Sequence, residues 1–596
     1  MNVSITNINN ISKITSSYFY FGSSYKNILN LKKNSKHQLI NYKGELSKIF
    51  KREEFFFLNW IEKKRNQNND SIYWWMNQIA GRNNLSSNFF LYICQYHYII
   101  DYLQNKKLPN ICIVCENQLL QNFLYKNLKK KYKCKNFVSL WNFFYEKLFF
   151  TPKKIFKFFK GFTKILVAIT FSKLTKPKKI NYPEQDIILF HHCVNSSLEK
   201  VKKPQICNYF LDLPNLIKKK KKLKVFSLFW TYSGYFSLKF YKSMRENNSF
   251  VPEDWLFFSD YIKIFFSLKK IRLSLIKPLN YKKNLDVSLL LTQEREEQDF
   301  LSCFKFLMYI PALKRWSKKI KKLIIFDQYQ NMTFEHPLRF ASKDLKIQTK
   351  TIGYHHSLMS KEFLGYRGLS SEWKSKSRPD KVFTIGKFAR RMLISGGIPS
   401  KKIIETFSLR QQKHKKSRRR NNKRNILLIL PLKKDLSIEV CEKIKLINEK
   451  LIDLNFKIFV KTHPFLGNRE LLNNLSWGKL PINWFWAEKD LKVGLDKCFL
   501  VVTSSSAAVY DAILRGKIPI ILDSDLNSID NYLDIFEQNK TAKNLDLIDL
   551  PNFFNNIISN KSLSYLGWIK KIQKKLINGI NSRSNINEKR LVKFII

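Results

Sequence analysis

Acidic residues are scarce in this chain: 46 Asp and Glu stand against 107 Lys and Arg in 596 residues, a net charge of +61 at pH 7. Glycine and proline are scarce too, at 17 each, while Lys, Asn, Ile, Phe and Tyr are plentiful. An AT-rich genome produces that pattern, so part of the positive charge is compositional and a single lysine run carries little meaning. No apolar run reaches the roughly 18–20 residues that a bilayer span requires. The core of the best candidate, ILVAITFS at 165–172, is bounded by Lys164 and Lys173, so a transmembrane helix is not expected. The opening residues MNVSITNINNISKITSSYFYF lack a basic head, an uninterrupted apolar core and a small-residue cleavage site. They do not read as a secretory leader, and a cytoplasmic protein is expected. The nine cysteines are scattered singly, apart from Cys112 and Cys115 in ICIVC. That run reads as a strand with its two thiols on opposite faces, and no second CxxC or Cys/His pair follows to complete a zinc or redox site.

What is present is core-forming material. Hydrophobic residues make up 44% and aromatics 15%, ample to offset the ordering entropy of the backbone, which excludes a disordered polycation. The length predicts about three to five domain-sized units, or two large ones with an extra region. Residues 1–110 read as a helical N-terminal region, with aromatic-rich stretches such as KREEFFFLNWIEKKR and SNFFLYICQYHYIIDYLQNKK. Residues 111–412 read as a first α/β domain that opens on the strand ICIVCEN at 111–117. It continues through the short apolar runs DIILFHHCV, KVFSLFWTY, KKLIIFDQY, KTIGYHH and DKVFTIG. Strands alternating with helices predict a parallel sheet. A basic linker over 413–424 leads to a second α/β domain over 425–560, with strands NILLILPL, KIFVKTHP, CFLVVT and KIPIILD. A C-terminal helical segment, 561–596, is placed to fold back and brace the first domain. The run Lys218 to Lys222 and the stretch 413–424 read as solvated loops.

An insertion at about 141–180 stands apart. Within 151–173, Lys153, Lys157, Lys160 and Lys164 share one arc of a helix, and Ile155, Phe158, Phe159, Phe162, Leu166 and Ile169 fall on the opposite arc. Such a helix lies on an anionic membrane surface with its lysines reaching phosphates, or else packs its apolar side on the core.

The sharpest local signal is VVTSSSAAVYDAILRGKIPIIL at 501–522. A strand ends at Thr503, Ser504, Ser505 and Ser506 follow, and a helix with Asp511 on its second turn begins at once. Hydroxyls beside free helix N–H groups suit a phosphate, and Asp511 suits ribose hydroxyls; the plainer alternative is that the serines are caps. Gly516 and Pro519 close the helix and open the next strand. In the preceding unit KIFVKTHPF puts Lys461, His463 and Pro464 at the carboxyl edge of the same sheet, where open α/β folds bind ligands.

The order K-x-H-P followed by T-S-S-S-A-A-x-x-D-A-x-x-x-G-x-x-P-I-I resembles the donor-binding domain of GT-B glycosyltransferases. More narrowly, it is similar to enzymes using CMP-activated acidic sugars, such as bacterial sialyltransferases and 3-deoxy-manno-octulosonate transferases. TIGYHHSLMS at 351–360 resembles the Gly-Tyr-Gln-His-Ser element of a related bacterial surface carbohydrate biosynthesis family, with His355 in place of Gln and His356 in register. DQYQNMTFEHPLRFASK at 327–343 is similar to that family's Tyr-Glu-Asn-Gln-x-Trp-Glu element; Gln330, Met332 and Phe334 depart from it, while Asn331 and Glu335 are kept. The resemblance implies two Rossmann-like domains facing a cleft. It also implies an inverting, metal-independent transferase that builds a cell-surface polysaccharide at the cytoplasmic face of the membrane. His356 is the expected base, with Glu335 as rival. Lys461, His463, Pro464, Thr503, Ser504, Ser505, Ser506 and Asp511 are the expected nucleotide-binding set. The expected partners are a nucleotide sugar, which is the donor substrate rather than a cofactor, a saccharide or lipid-linked acceptor, and anionic membrane along 151–173.

Asp523-Ser524-Asp525 has Asp-x-Asp metal spacing but follows the last strand, and it is expected to be a solvated loop. A CDP-glycerol-type polyol-phosphate transferase is the alternative enzyme. A nucleic-acid-binding role is disfavoured, because the lysines are spread through the whole chain and no zinc-finger spacing, RNP-like strand or basic helix after a turn is found.

Overall fold

The computed structural model describes residues 2–42, 45–84, 86–105, 110–137, 159–177, 186–193, 210, 213–220, 224–230, 237–246, 248–276, 280–282, 285–361, 363–409, 422–464, 466–488, 490–525, 533, 536, 546–580 and 585–595. Fifteen strands among them form three sheets, and every strand pair is parallel. The α/β class with two Rossmann-like sheets therefore holds, and a third, smaller sheet precedes them.

That first sheet takes the order β2-β3-β1-β4 from β1 (Asn2–Asn7), β2 (Tyr18–Phe21), β3 (Asn110–Cys115) and β4 (Lys133–Asn136). Alternation along its strands divides the side chains between two cores. Val3, Ile5, Phe19, Phe21, Ile113 and Cys115 meet the aromatic helices Leu46–Gln67 and Phe89–Asn105, where Phe57 and Phe90 stack at 4.5 Å. Tyr18, Tyr20, Cys112 and Val114 turn to the opposite side and join the main core. The two thiols do point to opposite faces, and burial pushes that of Cys112 up to about 12. Two domain expectations are corrected here. Residues 1–110 are not helical throughout, and strand 111–117 belongs to this sheet rather than to the one beginning at residue 186. NVSITN hides its alternation because only Val3 and Ile5 are apolar among Asn, Ser and Thr.

The middle sheet runs β10-β9-β8-β7-β5-β6, built from β5 (Asp186–Cys193), β6 (Lys224–Trp230), β7 (Lys322–Gln328), β8 (Gln348–His355), β9 (Lys381–Thr384) and β10 (Ile403–Glu405). The third runs β13-β12-β11-β14-β15, built from β11 (Asn422–Ile429), β12 (Lys457–Lys461), β13 (Trp484–Trp486), β14 (Cys498–Thr503) and β15 (Ile518–Ile521). Their central strands, such as KLIIFDQ and CFLVVT, are apolar almost throughout because helices cover both faces.

The C-terminal helices connect these two sheets. In Leu563–Gly579, Tyr565 donates its hydroxyl to the Pro519 carbonyl on β15, and a Cβ at Gly579 would lie 2.9 Å from Phe388 of the helix Lys387–Ser395. Farther along, Lys350 of β8 donates to the Phe594 carbonyl. Residues 413–421 of the basic linker, and Lys153, Ile155, Lys157 and Phe158 of the insertion, lie outside the described residues, while 422–424 begin β11. Lys218 sits on the helix Leu213–Lys220 rather than in a loop, which corrects the reading of that run. No helix among the described residues is long and apolar enough to cross a membrane.

Candidate active site

In the third sheet the strand order turns around β11: one series proceeds through β12 and β13, the other through β14 and β15. The carboxyl ends of β11 and β14 therefore meet at the topological switch point, the place where open α/β sheets bind ligands. Thr503 and Ser504 stand at that point. Both are buried, and neither Thr503 Oγ1 nor Ser504 Oγ has a hydrogen-bond partner among the described residues. An unmet buried hydroxyl costs about 1–3 kcal/mol, so a pair at a sheet edge marks a place where polar partners are wanted.

The neighbouring hydroxyl is differently used. Ser506 Oγ accepts from the Ala508 N–H at 3.3 Å, so it meets the first amide of the helix Ala508–Leu514. Asp511 is buried on that helix. Across β11, Lys461 ends β12 half-buried, and burial holds its ammonium below the ordinary lysine value against the opposing pull of Asp490. His463 is partly exposed and Pro464 exposed in the turn that follows. Since β12 and β14 both flank β11, the Lys461 and Thr503 ends lie about 10 Å apart, two strand spacings.

The middle sheet has its own switch point between β5 and β7. The β7 end continues into Tyr329, Gln330 and Asn331, and His356 follows β8 beside it. Gln330 Nε2 lies 3.2 Å from His356 Nε2, so the amide holds one ring nitrogen of the expected base. Glu335 is placed otherwise than expected. It is fully buried and accepts from the N–H groups of Gln330 at 2.8 Å, Met332 at 3.1 Å and Asn331 at 3.2 Å, and from Arg339 at 2.8 Å. Its two oxygens are thus taken up by the loop after β7 and by Arg339, away from solvent.

The support beneath that loop is ionic. Arg339 also forks onto Asp327 at 2.9 and 3.0 Å, and Arg378 bonds Asn331 Oδ1 at 2.6 Å. Arg82 and Arg378 share Glu372. Three buried guanidiniums thus meet three buried carboxylates, and burial pushes the Asp327 and Glu335 carboxyls up while Arg339 draws them back down. Asn331 sits at φ +60, and its carbonyl lies where a Cβ on Gly81 would be, 2.3 Å away, so only glycine allows the contact.

Sequence reasoning missed a third contributor. At the carboxyl end of the first sheet, Glu116 accepts from the Ser23 N–H at 2.7 Å, and Asn88 donates to Ser23 Oγ at 3.2 Å. This edge meets the carboxyl side of β11, where Lys433 donates to Asn88 Oδ1 at 3.3 Å and Asp435 accepts from the Tyr25 N–H at 2.8 Å. The turn G-S-S after YFYF repeats the hydroxyl-after-strand pattern of 503–506, and that was the available signal.

The histidines near these edges are not alike. His355 is fully buried against Tyr366, with ring centroids 4.6 Å apart, and neither nitrogen has a partner among the described residues. Burial pulls its pKa down to about 3, and that of His192 likewise. Both values lie below the ordinary one near 6.5, so acid protonates the unfolded chain first. Their stabilising effect is complete above about pH 6.5 and is lost as pH falls toward 3. His355→Phe is expected to flatten the fall in unfolding free energy between pH 6 and 4 by about 1.4 kcal/mol per pH unit. Chemical denaturation at a series of pH values reads this, and an unchanged slope would show that His355 is not buried neutral.

Asp525 is also placed otherwise than expected. It pairs with Lys443 at 2.9 Å and Lys32 at 3.7 Å, while Ser524 donates to Glu439 at 2.6 Å, so the Asp-x-Asp segment is an ion-paired brace and not a solvated loop. No group of three metal-ligating side chains occurs among the described residues.

No family model matches the chain, and no curated protein matches it. Several solved structures do. A glycotransferase of kitacinnamycin is 10% identical, with 70% of this chain and 99% of that one covered at a TM-score of 0.36. Neisseria meningitidis UDP-GlcNAc 2-epimerase bound to UDP-GlcNAc is 12% identical, over 69% and 99%, at 0.35. Acinetobacter baumannii MurG is 10% identical, over 69% and 99%, at 0.34.

Proposed function

We propose that the protein is a GT-B-type glycosyltransferase that moves a sugar from a nucleotide donor, CMP-linked in our reading, to a saccharide or lipid-linked acceptor in cell-surface polysaccharide synthesis. The observation that carries this is the pair of buried, unmet hydroxyls, Thr503 and Ser504, at the switch point of a Rossmann-like sheet whose next edge holds Lys461 and His463. The spacing of about 10 Å suits a nucleotide lying across the β11 end with its phosphate between cation and hydroxyls.

In the reaction the acceptor oxygen attacks the anomeric carbon, the bond from that carbon to the phosphate oxygen breaks, and the nucleotide leaves with the electron pair. His356 takes the acceptor's proton, with Gln330 holding its ring and Glu335 holding the Gln330 loop. Lys461, His463 and the hydroxyls of Thr503 to Ser505 compensate the departing charge, a direct-displacement scheme that inverts the anomeric centre and asks for no metal. Asp511 serves the ribose, and Pro464 shapes the turn. The enzyme works at the cytoplasmic face of the membrane, with 151–173 toward anionic lipid.

Calorimetric titration with CMP, CDP and UDP, followed by turnover assays with CMP-sugars, UDP-sugars and CDP-alcohols, tests the reading. CMP is expected to bind, and Thr503→Val with Ser504→Ala to weaken it about 10-fold or more, the worth of hydrogen bonds to a charged group. Turnover of CDP-glycerol alone would replace the sugar donor by a polyol phosphate. Absence of any nucleotide binding, with His463→Ala indistinguishable from the parent, would end the transferase reading.

A further inference from the structure

The helix Phe258–Ile276 is apolar on two sides. One side is ordinary core: Ile264, Leu268 and Ile271 pack with the helices around Trp316. The other faces solvent. Phe258, Ile262, Phe265, Phe266, Leu273 and Ile276 fall within one arc of about 100° when successive residues are turned by 100°. Each is exposed, from 40% for Phe265 to 79% for Phe258. Isolated exposed apolar residues are ordinary, but six on one helical arc form a patch of the kind that marks an interaction surface.

Charge identifies the occupant. The helix has one acid, Asp260, and it is turned inward to Arg315 at 2.7 Å. Lys263, Lys269 and Lys270 are exposed on or beside the apolar arc. A second copy of a chain carrying +61 would be repelled. An anionic bilayer surface offers apolar depth for the phenylalanines and phosphates for the lysines, which reach outward along their stems. At 1.5 Å per residue the helix would lie along about 28 Å of that surface.

A second helix also exposes apolar side chains. The helix over 159–175 exposes Phe159, Phe162 and Leu166 while Ile165 and Ala168 pack inward. Its Gly161 approaches Leu301 of the helix Phe300–Leu307, whose Phe304 stacks on Tyr261 at 6.4 Å. Both helices therefore pack on one shared helix.

We infer that the outward face of Phe258–Ile276 is the principal membrane seat of this protein, an interfacial helix inserted into anionic lipid, with 159–166 as its outrigger. The inference rests on the peripheral-membrane part of the proposed function and not on its chemistry.

The test is co-sedimentation of the full chain with vesicles of phosphatidylcholine alone or with 30% phosphatidylglycerol, in about 0.1 M and 0.5 M salt. Binding is expected to the anionic vesicles only, weaker at high salt, with a partition coefficient at least about 10-fold lower for Phe258→Ser with Phe266→Ser. Because those side chains are exposed, the variant is expected to keep the parent's melting temperature, and nucleotide titration gives a second check on its fold. Parent binding to anionic vesicles with this variant binding equally well would overturn the inference while leaving the membrane reading intact, most directly if Phe159→Ser with Phe162→Ser abolished binding. Failure of the parent to bind any vesicle would overturn both. A concentration-dependent dimer that the variant abolishes would assign the face to a second copy and overturn the inference.

Discussion

Glu335→Ala is expected to unfold the protein or to lower its unfolding free energy by about 3–5 kcal/mol, the cost of breaking a buried ion pair from one side. The carboxylate serves two structures at once. It shares with Asp327 the charge of the fully buried Arg339, which also donates to the Gln328 and Ser377 carbonyls, and it accepts the N–H groups of residues 330 to 332 where the chain leaves β7. Alanine leaves Arg339 with Asp327 as its one acidic partner and strands three amides in the interior, each unmet amide adding about 1–3 kcal/mol if no water enters. Against a typical total of about 5–15 kcal/mol, that loss is large. Glu335→Gln retains one carbonyl acceptor but brings an N–H₂ against donors, so it is expected to fall between the parent and alanine. Arg339→Met is expected to be at least as damaging, because it leaves Asp327 and Glu335 buried without their shared cation. Denaturant midpoints of the three variants check this, and a Glu335→Ala midpoint equal to the parent's would refute the buried network.

Much of the frame was legible because parallel sheets buried on both faces are written as short, nearly pure apolar runs. DIILFHH, KLIIFDQ, CFLVVT and their neighbours needed no context to be read as strands. The elements that escaped carry less hydrophobic contrast. NVSITN is two-thirds Asn, Ser and Thr, and YFYF is too short to separate from the aromatic helices beside it. Phe258–Ile276 escaped for the opposite reason: apolar residues occupy its core side and its outer side, so no single face stands out from a periodicity that rewards contrast. On 151–173 the contrast was strong, yet the structure turns Phe159, Phe162 and Leu166 to solvent and packs Ile165 and Ala168 inward, because a pattern gives a helix its faces and not what covers them.

At the site, sequence order identified the edges but not the use of each group. Lys461, Thr503 and Ser504 stand where strand ends were expected to put them. Ser506 is taken up by the N–H two residues on, and Glu335 by the N–H groups of residues 330 to 332 and by Arg339, local pairings that residue types alone leave open. The first sheet's contribution through Asn88 and Lys433 joins positions 345 apart in the chain, beyond the reach of any local pattern.

His356→Ala is expected to lower the turnover of the transfer reaction about 10²–10⁴-fold, the usual worth of a positioned general base. Nucleotide affinity should stay within about twofold, because Lys461, Thr503 and Ser504 lie on a different sheet from His356. That split, a loss in kcat with binding retained, separates a base from a residue that merely holds the fold. The adjacent His355 cannot take over, since it is sealed against Tyr366 and kept neutral far below physiological pH. Gln330→Ala supplies the companion measurement. It removes the amide 3.2 Å from the imidazole while leaving the backbone N–H that Glu335 holds, so the ring should be looser but present. A smaller loss in kcat is expected, with a shifted acid limb in its pH profile, whereas His356→Ala should abolish that limb because no group remains to be protonated there. If His356→Ala kept the parent's kcat and pH profile, the base would have to be sought elsewhere, first at Glu116 on the edge of the small sheet that meets β11.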